Sequence, residues 1–254
     1  MRAFALVLGF VLAAPAFADE EPAETPIVVP SPIPVGFLVA WKPTLLSIRI
    51  DSGQGAQFGS DKFQPLRILG RYTTTFFGEK LLARAELEGG QFESDTQNSN
   101  IGTNGYDLTA RVLGGTATKI APGFIVTAGA GFITRYQRGR AVGGAPNIGM
   151  FGVTSNLELE YRVAPILTLS AYAEGALAPF PYAAEARLGL LSDSSEFRAR
   201  LQLSMDLTAS SAIDIGYDFT RWHAAFTQST FTSDGALLIT AREHALTVGF
   251  RWKP

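Results

Sequence analysis

Phe151-Gly152-Val153-Thr154-Ser155-Asn156-Leu157-Glu158-Leu159-Glu160-Tyr161-Arg162-Val163 decides the fold. Phe151, Val153, Leu157, Leu159, Tyr161 and Val163 are apolar, and Gly152, Thr154, Asn156, Glu158, Glu160 and Arg162 stand between them. Successive side chains of a strand point to opposite faces, so this segment has one apolar and one charged face. The same period returns at 44–51, 66–76, 81–89, 106–112, 124–136, 167–173, 197–207, 213–219 and 246–252. That is about ten strands, with eight or twelve allowed by the blurred boundaries. An even number is what a closed up-and-down sheet needs.

Near its start the chain has Arg2, an apolar run from Ala3 to Ala14, and Ala16-Phe17-Ala18 ahead of Asp19 and Glu20. This pattern reads as a secretory signal peptide over 1–18, too short for a spanning helix. Residues 19–42 hold Glu20, Glu21, Pro22, Glu24, Pro26, Pro30, Pro32 and Pro34. Proline cannot donate to a ladder, so this segment is expected to be an extended lead. The barrel is expected over 43–254. No later apolar run is long enough for a helical span. A formal net charge of −2 leaves no basic footprint for nucleic acid. The absence of cysteine removes disulfides as a source of stability.

Connections alternate in length. Short links fall at 77–80, 119–123, 164–165 and 209–211, and long polar links at 52–64, 91–105, 137–149, 179–195 and 227–241. Spanning barrels have short turns on one side and long loops on the other. A soluble barrel shows the same two-residue period with its apolar face inward, so alternation alone does not orient the wall. Aromatic residues favour the membrane arrangement, with Tyr72, Phe76, Phe124, Phe132, Tyr136, Phe151, Tyr161, Phe197, Tyr217, Phe219, Phe250 and Trp252 expected as an interfacial girdle. The fold expected is all-β, a transmembrane antiparallel up-and-down β-barrel in a bacterial outer membrane, touching lipid, with both termini periplasmic.

With the apolar faces outward, parity sends the charges into the lumen. The expected cations are Arg49, Arg67, Arg71, Arg84, Arg111, Arg135, Arg162, Arg198, Arg200 and Arg251. The expected anions are Asp51, Glu86, Glu88, Asp107, Glu158, Glu160, Glu174, Asp206, Asp214 and Asp218. The two sets nearly balance, which fits a self-neutralising plug better than a selective pore, where one sign would predominate.

From Pro43 to the C-terminus the chain resembles the small outer-membrane β-barrel proteins of Gram-negative bacteria. The resemblance rests on the alternating strands, the alternating links and the final strand Leu246, Val248, Phe250, Trp252. It implies insertion by the barrel assembly machinery. That family usually ends on the aromatic residue itself, whereas here Lys253 and Pro254 follow.

Chemistry-bearing residues are few. The two histidines are His223, near Asp218 and Trp222, and His244. Ten-stranded outer-membrane proteases of the omptin family carry an Asp-x-His element; here Arg221 and Arg242 stand two residues before the histidines. Glu93 and Asp95 lack the dense oxygen repeat of a calcium loop, so no metal or cofactor is expected. Phe180, Tyr182 and Phe231 are candidates for contact with a surface ligand. The expectation is a protein that is not an enzyme and has a structural or surface-interaction role through long loops. The alternatives are a narrow porin-like channel and, third, an outer-membrane hydrolase using His223 and Asp218.

Overall fold

The computed structural model describes residues 35–52, 55–77, 80–96, 99–139, 147–184, 188–230 and 233–253. The signal peptide and most of the lead lie outside the described residues. Twelve strand segments form one closed antiparallel sheet: β1 (Gly36–Trp41), β2 (Thr44–Ser52), β3 (Gly55–Gln64), β4 (Arg67–Phe76), β5 (Leu81–Thr96), β6 (Ser99–Ala121), β7 (Phe124–Gly139), β8 (Ile148–Ala164), β9 (Leu167–Ala184), β10 (Leu190–Thr208), β11 (Ser211–Thr227) and β12 (Leu237–Trp252). From β4 to β12 each strand pairs with the next, and β12 pairs with β1 to close the cylinder.

The wall is ten strands around. β1 and β2 both pair with β12, at Val248–Trp252 and Leu238–Ala245, and so form one interrupted strand. β3 and β4 pair with β2 and β1 and form the second. Prolines lie at both interruptions, Pro43 and Pro65, where the missing N–H breaks the ladder. The double break is sealed by other donors: Lys42 N–H donates to the Arg67 carbonyl at 2.9 Å and Trp41 Nε1 to the Pro65 carbonyl at 2.6 Å. Beyond Pro65 the Gln64 carboxamide joins β3 to β5, with Nε2 donating to the Glu93 carbonyl at 3.0 Å and the Glu93 N–H donating to Oε1 at 2.9 Å.

Two expectations on boundaries change. The lead expected over 19–42 contains β1, and Lys42 is buried inside the barrel. The long polar links at 52–64 and 91–105 are mostly strand, belonging to β3, β5 and β6. The strands overshoot the apolar band there and keep pairing beyond it, because an exposed wall still needs its backbone partners.

The outward face carries the apolar side chains. Along β10 the outward residues from the short-turn end are Leu207, Met205, Leu203, Leu201, Ala199 and Phe197, which cover about 25 Å of height at ~3.3 Å per residue and a tilt near 40°. The next outward residue is Ser195. Along β11 the series Ile213, Ile215, Tyr217 and Phe219 gives way to Arg221 and His223; along β12, Val248 and Leu246 give way to His244 and Arg242. On β1 and β2, Phe37, Val39, Trp41 and Leu45 give way to Ser47 and Arg49.

The interior changes character toward the same end, in the opposite sense. Its lower and middle parts are charged. Toward the long-connection end it is apolar: Leu46, Ile48, Ile50, Ile148, Met150, Leu188, Trp222, Ala224, Phe226, Leu237, Ile239 and Ala241 form one buried cluster. Above the apolar band the wall is patterned like a soluble barrel, dry inside and wet outside.

Candidate functional site

The first candidate site is the lumen. Among the described residues nine cations and ten anions are buried, so charge nearly cancels. Glu86 sits at the centre, accepting from Arg71 Nε at 2.8 Å, Arg198 Nη1 at 2.6 Å and Arg200 Nη2 at 3.0 Å. Asp218 accepts from Arg198 Nε at 3.1 Å, Arg200 Nε at 3.0 Å and Thr247 Oγ1 at 3.1 Å. Lys42 Nζ lies 2.7 Å from Glu88, which also meets Arg67 at 3.1 Å. Arg67 reaches Asp107 at 2.8 Å, Arg84 reaches Glu158 at 2.6 Å, and Arg111 reaches Glu196 at 2.6 Å and Glu174 at 3.3 Å. Arg135 joins Glu243 at 2.6 Å and Glu196 at 3.2 Å.

Arginine suits this packing because its planar fork serves two or three carboxylates at once. The network meets the apolar cap at Trp222, where the Arg135 guanidinium lies 5.6 Å from the ring centroid. At the short-turn end Arg251 grips Asp214 through two bonds, 2.8 and 3.0 Å. Arg162 and Lys253 both reach Asp206 there, at 3.3 and 2.6 Å, in a partly exposed rim. Glu160 is fully buried, and its carboxyl oxygens have no hydrogen-bond partner among the described residues.

Arg49 is a correction. It is exposed on the outer surface, and Asp51 shares its face. The apolar residues Leu46, Ile48 and Ile50 point inward instead. The parity was right and its sense was reversed, because β2 lies above the apolar band. Lys42, Glu196 and Glu243 are lumen charges that sequence reasoning missed. Lys42 stands just before a proline in the supposed lead. Glu196 and Glu243 lie beyond the segments whose alternation was read.

The expected girdle residues all lie on the outward face. Some meet in pairs across neighbouring strands, Phe132 stacked on Phe151 (5.6 Å) and Phe124 edge-on to Tyr161 (6.1 Å). The side chains of Phe180 and Tyr182, with Phe231, lie outside the described residues.

The second candidate site is the outer surface near the long-connection end. His223 and Asp218 do not meet, because Asp218 is in the lumen and His223 is outside. His223 Nδ1 is instead 3.1 Å from Ser195 Oγ, its register partner on β10, and Nε2 is 3.5 Å from Asp193 Oδ2. A register shift between Leu191 and Asp193 accompanies this grouping. Sequence spacing gave no sign of it, since the serine and the histidine are 28 residues apart.

No family model matches this sequence, and no curated protein matches it. Several solved structures are similar to it. The outer membrane protease OmpT from Escherichia coli has 12% identity and a TM-score of 0.49, covering 87% of this chain and 97% of that one. The translocator domain of autotransporter NalP from Neisseria meningitidis has 12% identity and a TM-score of 0.45, covering 85% and 88%. The P. putida toluene transporter TodX has 8% identity and a TM-score of 0.35, covering 86% and 89%. The described residues of the chain form a closed antiparallel β-barrel. The expectation that it is not an enzyme does not stand: a protease is among the structures it resembles, beside a transporter and a translocator, so the architecture leaves its enzymatic status open.

Proposed function

We propose that this protein is a closed outer-membrane barrel, with both termini on the periplasmic side, that acts through its outer end and not through its bore. The observation that carries this reading is the double closure of the lumen. Ion pairs cross the full width of the interior, and the apolar cap with the fully buried Leu188 lies above them. Moving a solute through would require parting buried charge pairs, each break costing about 3–5 kcal/mol. Opening the cap would expose side chains worth about 1.5–3 kcal/mol each. The short turns at one end and the strand overhang with polar outer surface at the other support the orientation.

Reconstitution of the purified chain into a planar bilayer tests this. The expected record is silent at moderate voltage. Reproducible unitary steps would overturn the closed reading in favour of a narrow channel.

A further inference from the structure

Ser195, His223 and Asp193 lie on the outside of the wall just above the apolar band: Ser195 is one strand step beyond Phe197, and His223 is two steps beyond Phe219 with Arg221 between. That is the height at which the ester linkages of a lipid separate acyl chains from headgroups. A serine hydroxyl hydrogen-bonded to an imidazole, with a carboxylate at the other ring nitrogen, is the arrangement that activates an oxygen nucleophile.

Two independent features of the same face point to the ligand. The first is a groove of about 330 Å³ on the outward surface of β8 to β11. Small side chains line it at Ala171, Ala173 and Ala199, among the larger Leu159, Leu201 and Phe219. In register, Ala199 is opposite Phe219, and Ser195 is opposite His223 two steps further along each strand, so the groove leads toward the Ser195–His223 pair. The volume falls in the range of small-molecule sites, about 300–1,000 Å³, and the lining is apolar.

The second feature is charge. Arg221 and Arg242 are register partners on β11 and β12, both exposed, and neither has an ion-pair partner among the described residues. Like charges set directly opposite on one face of a sheet repel and call for an anion. They stand one step below His223, beside the end of the groove.

We propose that this face is a hydrolytic site for acyl esters of anionic lipids in the leaflet at the long-connection end. An acyl chain lies in the alanine-lined groove, and Arg221 on β11 with Arg242 on β12, to the side of Ser195 on β10, attract the anionic phosphate next to the ester. Ser195 Oγ adds to the ester carbonyl carbon while His223 takes its proton. The C–O bond to the glycerol oxygen breaks, and that oxygen leaves with the proton from His223. Water, deprotonated by His223, then attacks the acyl-serine, giving the free carboxylic acid and restoring Ser195. The sum is ester plus water to acid plus alcohol. Asp193 orients the ring and balances the imidazolium. This inference needs the outward apolar face to meet lipid but does not depend on a closed lumen.

The test uses the full chain in detergent with mixed micelles of phosphatidylglycerol, measuring free fatty acid, together with labelling by a fluorophosphonate probe located by peptide mass spectrometry. The expected result is fatty-acid release and a probe adduct on Ser195. S195A and H223A, checked for folding by the heat-dependent gel shift, should each lose at least about 1,000-fold of the activity. R221A should raise KM with kcat preserved, and phosphatidylcholine should be turned over several-fold more slowly. No release by the wild type, lipid bound without turnover, or release undiminished in S195A would overturn the proposal. Should S195A fail to fold, the adduct on the wild-type chain decides: labelling elsewhere or nowhere overturns the assignment. Equal turnover of the two lipids would overturn the role given to Arg221 and Arg242. Bilayer conductance reports on lumen closure separately.

Discussion

Arg198 Nη1 lies 2.6 Å from Glu86 Oε2 although the two residues are 112 positions apart, on β10 and β5. In a wall of ten strands these are the eighth and third positions, diametrically opposite. Arg135 on β7 and Glu243 on β12 repeat the relationship at 2.6 Å, fifth against tenth. The bore is therefore spanned from wall to wall along two separate diameters. Such struts do little as isolated pairs, since two desolvated charges only about offset their own cost. Their effect is conditional: with one partner present, the other must be.

Replacing Glu86 by glutamine keeps the shape and removes the charge that three guanidiniums share. The expected loss is about 3–5 kcal/mol, because Arg71, Arg198 and Arg200 are left in excess in a buried site. Urea titration of the folded gel band measures it. A variant as stable as the wild type would show that the network is solvated.

Leu188 is fully buried in the apolar cap, and Gly189 follows it with φ of +81°. Leu188→Ala should cost about 2–5 kcal/mol through lost burial and the cavity left behind. Gly189→Ala should also destabilise, since a side chain there adopts a left-handed backbone and its Cβ would come 2.2 Å from the Thr227 carbonyl oxygen. Thermal unfolding in detergent reads both.

Leu203→Arg places a charge in the middle of the outward band on β10 and should cost about 2–4 kcal/mol. Arg49→Leu, on the wet part of the wall, should stay within about 0.5 kcal/mol. The contrast is the useful quantity, because a soluble barrel would tolerate both.

Gln64→Ala removes the carboxamide that bridges β3 and β5. The Glu93 N–H and carbonyl then lose their side-chain partner, and amide exchange at Glu93 should accelerate by at least tenfold. Unchanged protection would mean that the seam is held by other contacts.

The ten-strand wall was legible because each strand carries the two-residue period over most of its length. The burial of the expected inward charges between Arg67 and Arg251, apart from Arg162 and Asp206 at the partly exposed rim, followed the same parity. Arg49 did not, and the reason is physical. Alternation tells two faces apart but not which one is dry, and that depends on whether lipid or water is outside. At Leu46, Ile48 and Ile50 the answer switches within one interrupted strand. Lys42 was hidden by its proline neighbour. The meeting of Ser195 with His223 depends on the register between β10 and β11, which turn lengths read to within a few residues cannot fix.

The wall reverses its polarity as it leaves the lipid, and a spin-label scan along β11 reads that reversal residue by residue. The chain has no cysteine, so single cysteines at positions 213, 215, 217, 219, 221, 223 and 225 can be labelled cleanly. Labels should be accessible to oxygen from 213 to 219 and to a water-soluble relaxer from 221 onward, with the change falling between Phe219 and Arg221. Water access along the whole series, or oxygen access unbroken through 225, would contradict that reversal.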